Sequence, residues 1–147
     1  MGKLKIAKTE ETTTESAQAA TLSSSPVKVP KKKITSATLH IEATFNNTKV
    51  VLSDKGGNTL FWSSAGSLGF KGAKKGTPFA ASKVGDVLGE KAAALGIKDI
   101  DVVVTGVGSG REPTIRAFLS RGFELTGVRD TTPVPHNGPK PKKPRRV

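Results

Sequence analysis

Residues 100–118 read IDVVVTGVGSGREPTIRAF and combine a strand, a glycine loop and a basic helix in one short segment. The apolar run at 100–104 has the length and β-branching of a buried strand, and its continuous pattern favours cover on both faces. The run ends at three closely spaced glycines, Gly106, Gly108 and Gly110. Glycine permits positive φ and lets backbone N–H groups approach another backbone or a phosphate. Arginines at every fifth position, Arg111, Arg116 and Arg121, then accompany helix-compatible spacing, so the segment is predicted to face an anion.

Residues 36–64, before this segment, carry the pattern of three strands. The first has strict alternation, and its apolar members are predicted to face the core: Ala37, Leu39, Ile41, Ala43 and Phe45. Asn46 and Asn47 tolerate left-handed backbone, which predicts a reversal into a second strand at 49–53. A turn cluster at 54–58 leads to a third strand at 59–64, where Trp62 is predicted to pack rather than to stack on a base. Three consecutive strands predict an antiparallel meander.

Residues 77–96 are predicted to form a helix, since Thr77 suits an N-cap, a proline follows at the first helical position and Gly96 suits the C-terminal stop. Gly85 and Gly89 inside this helix indicate close approach by another backbone, either of the protein or of RNA. A last strand follows at 123–128, with a bulge at Gly127. The order predicts a three-layer α/β fold whose five-stranded mixed sheet joins the antiparallel meander to parallel strand-helix units.

The net charge of +12 argues for a polyanionic partner. Residues 1–33 hold 7 basic and 3 acidic groups, residues 34–136 hold 12 and 9, and residues 137–147 hold 5 and none. We therefore divide the chain into a disordered extension at 1–33, a folded domain at 34–132 and a proline-rich basic extended tail at 133–147. A transit peptide is the alternative for the extension, although Glu10, Glu11 and Glu15 disfavour it. No cysteine is present, and we expect no metal site, cofactor or membrane partner.

Several motifs in order resemble the bacterial-type family of small-subunit ribosomal protein eleven. They are GVGSGREPTIRAF at 106–118, NNT at 46–48, WSSAG at 62–66 with GFKG at 69–72, TPFAA at 77–81 and DTTPVPHNG at 130–138. The resemblance implies a ribonuclease-H-like sheet and a structural protein that binds small-subunit, 16S-type rRNA on the platform, near exiting mRNA. It also implies neighbouring small-subunit proteins seven and eighteen, a role in subunit assembly, and a cytoplasmic ribosome, with an organellar one as the alternative.

The RNA contacts expected from this reading lie in the turns, the glycine loops and the tail. Lysine neutralises phosphate, glycine allows close approach, and an extended cationic arm follows an RNA groove. The expected RNA-binding residues are Asn46, Asn47, Lys71, Lys74, Lys75, Gly108, Gly110, Arg111, Arg116, Arg129, His136, Asn137, Lys140, Lys142, Lys143, Arg145 and Arg146. Phe70, among the lysines, is expected to stack on a base or to fill the core.

Two other classes of function compete with this reading. A general single-stranded nucleic-acid-binding protein would share the same charge pattern. A nuclease would need Glu42, Glu90 and Asp101 to hold divalent metals, and scattered carboxylates are usually solvated instead. The glycine loop lacks the Lys-Ser/Thr of a phosphate-binding P-loop, which disfavours nucleotide binding. Separately, Asn137-Gly138 predicts isoaspartate formation, because glycine leaves the next backbone nitrogen free to attack the Asn side chain.

Overall fold

The structure is a computed structural model that describes residues 34–143. Its elements are β1 Ser36–Ala43, β2 Thr48–Asp54, β3 Thr59–Ser64, a 3-10 turn Gly72–Gly76, α1 Pro78–Ala94, β4 Asp99–Thr105, α2 Arg111–Leu119 and β5 Glu124–Asp130. Every element predicted between residues 34 and 132 is present. The predicted extension at 1–33 lies outside the described residues, as do Arg145 and Arg146 of the tail.

The five strands form one mixed sheet in the order β3-β2-β1-β4-β5. β1, β2 and β3 pair antiparallel, which confirms the meander, whereas β4 pairs parallel with β1 and β5 pairs parallel with β4. The predicted bulge is also present, because Ile100 pairs with Leu125 and the next residue, Asp101, pairs with Gly127. α1 connects β3 to β4 and α2 connects β4 to β5, since strands that run in the same direction need a crossover connection.

The two helices lie side by side on the same face of the sheet, where they pack against each other and against the strands. The prediction of three layers is therefore wrong. Both crossovers step across the sheet in the same direction, and connections of one hand then place both helices on one side. The prediction that the 100–104 run is covered on both faces is wrong for the same reason: Val102 and Val104 are buried under the helices, and Val103 on the open face is only half-buried.

The packing of α1 on α2 explains the glycines inside α1. A methyl group at Gly85 would lie 2.7 Å from the carbonyl oxygen of Thr114 in α2, and one at Gly89 would lie 2.9 Å from Arg121 Cγ. The predicted close approach of another backbone is confirmed at Gly85, whereas at Gly89 the close neighbour is the Arg121 side chain and the nearest backbone atom, the Phe118 carbonyl oxygen, would lie 3.5 Å away. At the start of α1, Ala80 N–H donates to Thr77 Oγ1 at 3.3 Å, which confirms the N-cap, and Gly96 adopts a φ of +76° after the helix.

Two aromatic side chains that the sequence pattern favoured as packed, Phe45 and Trp62, are exposed. Phe45 is 77% exposed because β1 ends at Ala43, and Thr44 begins a turn in which its side chain and backbone bond with Asn47. Trp62 is 60% exposed because it pairs with Val51 on the open face of the sheet, away from both helices. The prediction that Phe45 faces the core is wrong, and the preference for packing at Trp62 is not borne out. Phe70 does pack partly against the core, which bears out one of its two expected roles.

Candidate nucleic-acid interface

Four loop segments meet at one end of the sheet, which we call the carboxyl end. β1, β4 and β5 are parallel, so their carboxyl ends share one edge, and β3 also ends there because two antiparallel pairings separate it from β1. The segments that follow these strands are 44–47 after β1, 65–76 after β3, 106–110 after β4 and 131–143 after β5. Most of the sequence-predicted RNA contacts lie in these four segments. Arg111 directly follows one of them, whereas Arg116 and Arg129 lie elsewhere.

Glycines lock three of these loops to one another. A methyl group at Gly76 would lie 2.2 Å from the carbonyl oxygen of Phe45, and one at Gly108 would lie 2.2 Å from that of Thr44. Gly108 N–H donates to the Ala43 carbonyl at 2.8 Å, and the Ser109 hydroxyl donates to the Gly76 carbonyl at 2.9 Å. The backbone at 44–45 is therefore held between two glycines, and no side chain larger than hydrogen fits at either contact without a shift.

The glycine loop makes its close approach to other parts of the protein. Gly106 has a φ of +97°, as the turn required, and Gly108 and Gly110 are buried against protein. A methyl group at Gly110 would lie 2.2 Å from Thr48 Oγ1, at the start of β2. The loop approaches the neighbouring strand ends, and RNA contact through Gly108 or Gly110 stays a prediction.

Arg111 ties the glycine loop to the end of β5. Its guanidinium donates to the Gly106 carbonyl and to Thr132 Oγ1, and it forms an ion pair with Asp130. The Thr132 hydroxyl and N–H also donate to Asp130, and these bonds, with the Arg111 guanidinium, lower the pKa of the Asp130 carboxyl from 3.8 to about 2. The first residues after β5 are thereby fixed where the tail leaves the domain.

The lysines of the carboxyl end are unpaired within the described part of the chain. Lys71, Lys74 and Lys75 lie on and beside the 3-10 turn, and no carboxylate between residues 34 and 143 is within salt-bridge distance of them. The same holds for three exposed lysines of the tail, Lys140, Lys142 and Lys143. Three carboxylates do lie at this end: Asp130 is paired with Arg111, Glu42 near the end of β1 is paired with Lys49, and Glu112 lies in the first turn of α2. Cationic groups therefore predominate there.

The remaining predicted RNA contacts have different settings. Asn46 and His136 are exposed, and Asn137 is exposed with a φ of +56°. Asn47 is half-buried, and its side-chain oxygen has no hydrogen-bond partner among the described residues. Arg116 is exposed on α2, five residues beyond its start, and Arg129 is 71% exposed on β5, with Asp101 4.0 Å away. Arg116 and Arg129 are therefore not gathered with the carboxyl-end loops.

The structure adds exposed apolar side chains that the sequence analysis did not assign to this site. Phe45, Phe79 and Val107 are 77%, 64% and 62% exposed, and each belongs to or adjoins a carboxyl-end loop. Phe79 could have been found from sequence, because it falls outside the apolar residues at helical spacing in 77–96, which are Ala80, Val84, Val87, Leu88, Ala92 and Leu95. Phe45 could not, because it continues the alternation of β1 beyond the last paired residue.

The carboxylates of the nuclease hypothesis do not converge. Glu42 pairs with Lys49 at 3.4 Å, Glu90 with Arg121 at 2.8 Å and Asp101 with Arg129 at 4.0 Å, on separate elements. Among residues 34–143, no group of three or more His, Cys, Asp or Glu side chains is placed to hold a metal ion. Over the same range, the helices fall short of the length and apolar character of a membrane span.

The chain was compared with models of known protein families. The model of the family described as Ribosomal protein S11 matches residues 37–146. The match begins in β1, covers all five strands and both helices, and extends through the basic tail, so it includes every segment that forms the carboxyl end.

Proposed function

Because the chain belongs to the ribosomal protein S11 family, and is therefore a structural rRNA-binding protein of the small ribosomal subunit, we propose that the carboxyl end of its sheet holds the RNA. The observation that carries the proposal is the convergence of four loop segments whose lysines have no carboxylate partner between residues 34 and 143. A cation without an internal partner binds a phosphate without first breaking an ion pair within the protein. Its binding releases counterions from the RNA.

The rigidity of this end supports the same assignment. Glycine contacts and the Arg111 bonds hold the backbones of these loops in fixed relative positions, which lowers the backbone entropy lost on binding. The tail begins at the same end, after Thr132, and carries three further lysines within the described residues. Domain and tail therefore present one continuous cationic surface, in which Lys71, Lys74, Lys75 and the tail bind phosphate while Asn46 and His136 lie within reach of the RNA.

The finer assignments rest on the sequence resemblance. We place the protein on the platform of a cytoplasmic small subunit, beside the path of exiting mRNA and next to small-subunit proteins seven and eighteen, where it stabilises an rRNA junction during assembly. We also assign the sheet to the ribonuclease-H-like class, a proposal supported by its strand order. Arg116, Arg129, Asn137, Arg145 and Arg146 are proposed as secondary RNA contacts.

The first experiment is sedimentation of tagged protein from a cell lysate through a sucrose gradient in high salt. We expect the protein to stay with small subunits, because contacts made only by exposed charges are screened under these conditions. Recovery at the top of the gradient, together with equal affinity of the purified protein for unrelated RNAs, would replace the ribosomal role with general nucleic-acid binding.

A matched pair of lysine variants tests the proposed surface. Lys74→Gln with Lys75→Gln removes two charges from the carboxyl end, and Lys55→Gln with Lys98→Gln removes two from the opposite end of the sheet. For binding to purified small-subunit rRNA, the first variant should flatten the slope of log affinity against log salt by about 1.4–1.8, given roughly 0.7–0.9 per phosphate contact. The second should leave the slope unchanged. Equal slopes for the two variants would show that the carboxyl end is not the RNA surface.

A further inference from the structure

Phe45 is the most exposed large apolar side chain among the described residues, at 77%. It lies at the carboxyl end, where its carbonyl contacts Gly76, the residue that directly follows Lys74 and Lys75. A lone exposed apolar side chain is common on proteins. One that stands beside unpaired cations, on the surface proposed to hold RNA, has a defined chemical use.

The backbone beneath Phe45 is fixed, and this distinguishes it from a mobile loop residue. Gly76 packs against the Phe45 carbonyl, and Gly108 packs against the Thr44 carbonyl. Thr44 also bonds with Asn47 through both side chain and backbone, at 2.9–3.1 Å. The ring is therefore held outward before any partner binds, so little additional backbone order is lost when it makes a contact.

An outward aromatic ring beside cations matches a particular form of RNA. In a continuous A-form duplex the bases are stacked on one another and their faces are covered, so the ring would meet only backbone and groove edges. In loops, bulges and single strands the bases can splay out and stack on aromatic side chains, while nearby lysines bind the flanking phosphates.

We propose that Phe45 stacks on an unpaired base of the bound rRNA, so that the carboxyl end selects RNA loops or bulges over continuous duplex. This proposal rests on the proposed function and adds the class of RNA that the same surface takes. It also gives the glycines at 76 and 108 a common purpose, because a side chain at either position would displace the backbone that carries the ring.

The other exposed aromatics fit this use less well. The Phe79 ring already meets the Phe70 ring edge-on at 6.1 Å and lies 5.7 Å from Lys83 Nζ, so part of its surface is occupied. Between residues 34 and 143, no ring or cation is stacked on Phe45. Trp62 lies on the open face of the sheet, where the charges include the carboxylates of Glu42 and Asp101. Both carboxylates are ion-paired, with Lys49 and Arg129, and Trp62 lies within β3 rather than in one of the four carboxyl-end loop segments.

The test compares the full-length Phe45→Ala and Trp62→Ala proteins with wild type, each substitution removing one exposed aromatic ring. Three probes are used: purified small-subunit rRNA, an unpaired RNA strand and a fully paired RNA duplex of the same length. Phe45→Ala should weaken binding to rRNA and to the unpaired strand about 5- to 150-fold, the range for loss of one base stack, and leave duplex binding and the salt slope unchanged. Trp62→Ala should bind all three probes as wild type does.

Two further variants separate stacking from simple apolar burial. Phe45→Trp keeps an aromatic face and should retain wild-type affinity for the unpaired strand, whereas Phe45→Leu keeps apolar area without a π face and should behave like alanine. Full affinity of the leucine variant would mean that the ring meets an apolar surface, such as a neighbouring protein, and would overturn the stacking proposal.

The remaining outcomes are equally decisive. An unchanged affinity of Phe45→Ala for rRNA, or an equal loss on the duplex and the unpaired strand, would overturn base stacking and leave the proposed function intact. Failure of the wild-type protein to bind rRNA would overturn both. Circular dichroism and urea unfolding should show that all four variants are folded, since the substituted side chains are mostly exposed.

Discussion

Replacing Gly108 with alanine tests whether the carboxyl end is one rigid unit. The added methyl would lie 2.2 Å from the Thr44 carbonyl oxygen and 2.7 Å from the carbonyl carbon. Both are backbone atoms, which cannot move aside as the end of a flexible side chain can. Forcing an extra methyl into such a contact costs about 1–3 kcal/mol. The shift also breaks the 2.8 Å bond from Gly108 N–H to the Ala43 carbonyl, worth about 0.5–1.5 kcal/mol. We expect Gly108→Ala to lower the free energy of unfolding by about 2–4 kcal/mol.

Gly66→Ala is the matched control, because it adds the same methyl to a loop at the same end of the sheet. There the nearest atoms are 3.7 and 3.9 Å away, which is ordinary contact. Its stability should be unchanged or up to about 1 kcal/mol higher, since alanine restricts the unfolded chain. Urea unfolding followed by circular dichroism measures both variants, with the slope against denaturant checked for a constant unfolded state. A loss below about 0.5 kcal/mol for Gly108→Ala would refute the locked arrangement, because the loop would then adjust freely.

Three further predictions concern the cap of α1, the acid behaviour of the β5 end and the chemistry of the tail. Thr77→Ala should lower the free energy of unfolding by about 1 kcal/mol, as loss of an N-cap does, whereas Ser82→Ala in the same helix should change it by less than about 0.5. The stability difference between wild type and Asp130→Asn should be complete at pH 5 and should disappear as pH falls from about 4 to about 2, because a lowered folded-state pKa stabilises the fold only while the carboxylate stays ionised. Peptide mass spectrometry of aged protein should find isoaspartate at Asn137, and finding only intact asparagine would end that hypothesis.

The element order was predictable from sequence because it depends on local signals. Alternation in β1, the N-cap at Thr77 and the glycine after α1 each act within a few residues, and each is present in the structure. Strand-helix-strand order with right-handed crossovers then fixed the parallel pairings. The glycines at 85 and 89 were local signals that predicted a tertiary contact. Glycine is unfavourable in a helix interior, so its presence there indicated close packing against another element.

The number of layers and the exposure of the aromatic side chains depend on tertiary packing, which a periodic sequence pattern does not specify. The run VVV at 102–104 is typical of a strand buried on both faces of the sheet, although Val103 faces the open side. Whether a face of the sheet is covered depends on which side the two helices cross, and the residue types of β4 do not indicate that side. Phe45 continues an alternation that ended with Ala43, so its exposure followed from the turn at Thr44 rather than from its own pattern.

The arginines and lysines of this chain serve different purposes, and this limits what net charge alone can locate. The five-residue spacing of arginines predicted a basic helix facing an anion, yet Arg111 bonds to Asp130, and Arg121 to Glu90 at 2.8 Å. A planar guanidinium with several donors suits such multiple internal acceptors, whereas a lysine ammonium is a hydrated point charge that is easily left at the surface. Within the described residues the lysines of the carboxyl end and the tail have no carboxylate partner, and neither do Lys55, Lys91, Lys98 and Arg116, which lie elsewhere on the domain. The surface proposed to hold RNA is therefore located by where several unpaired cations converge, and that depends on the fold.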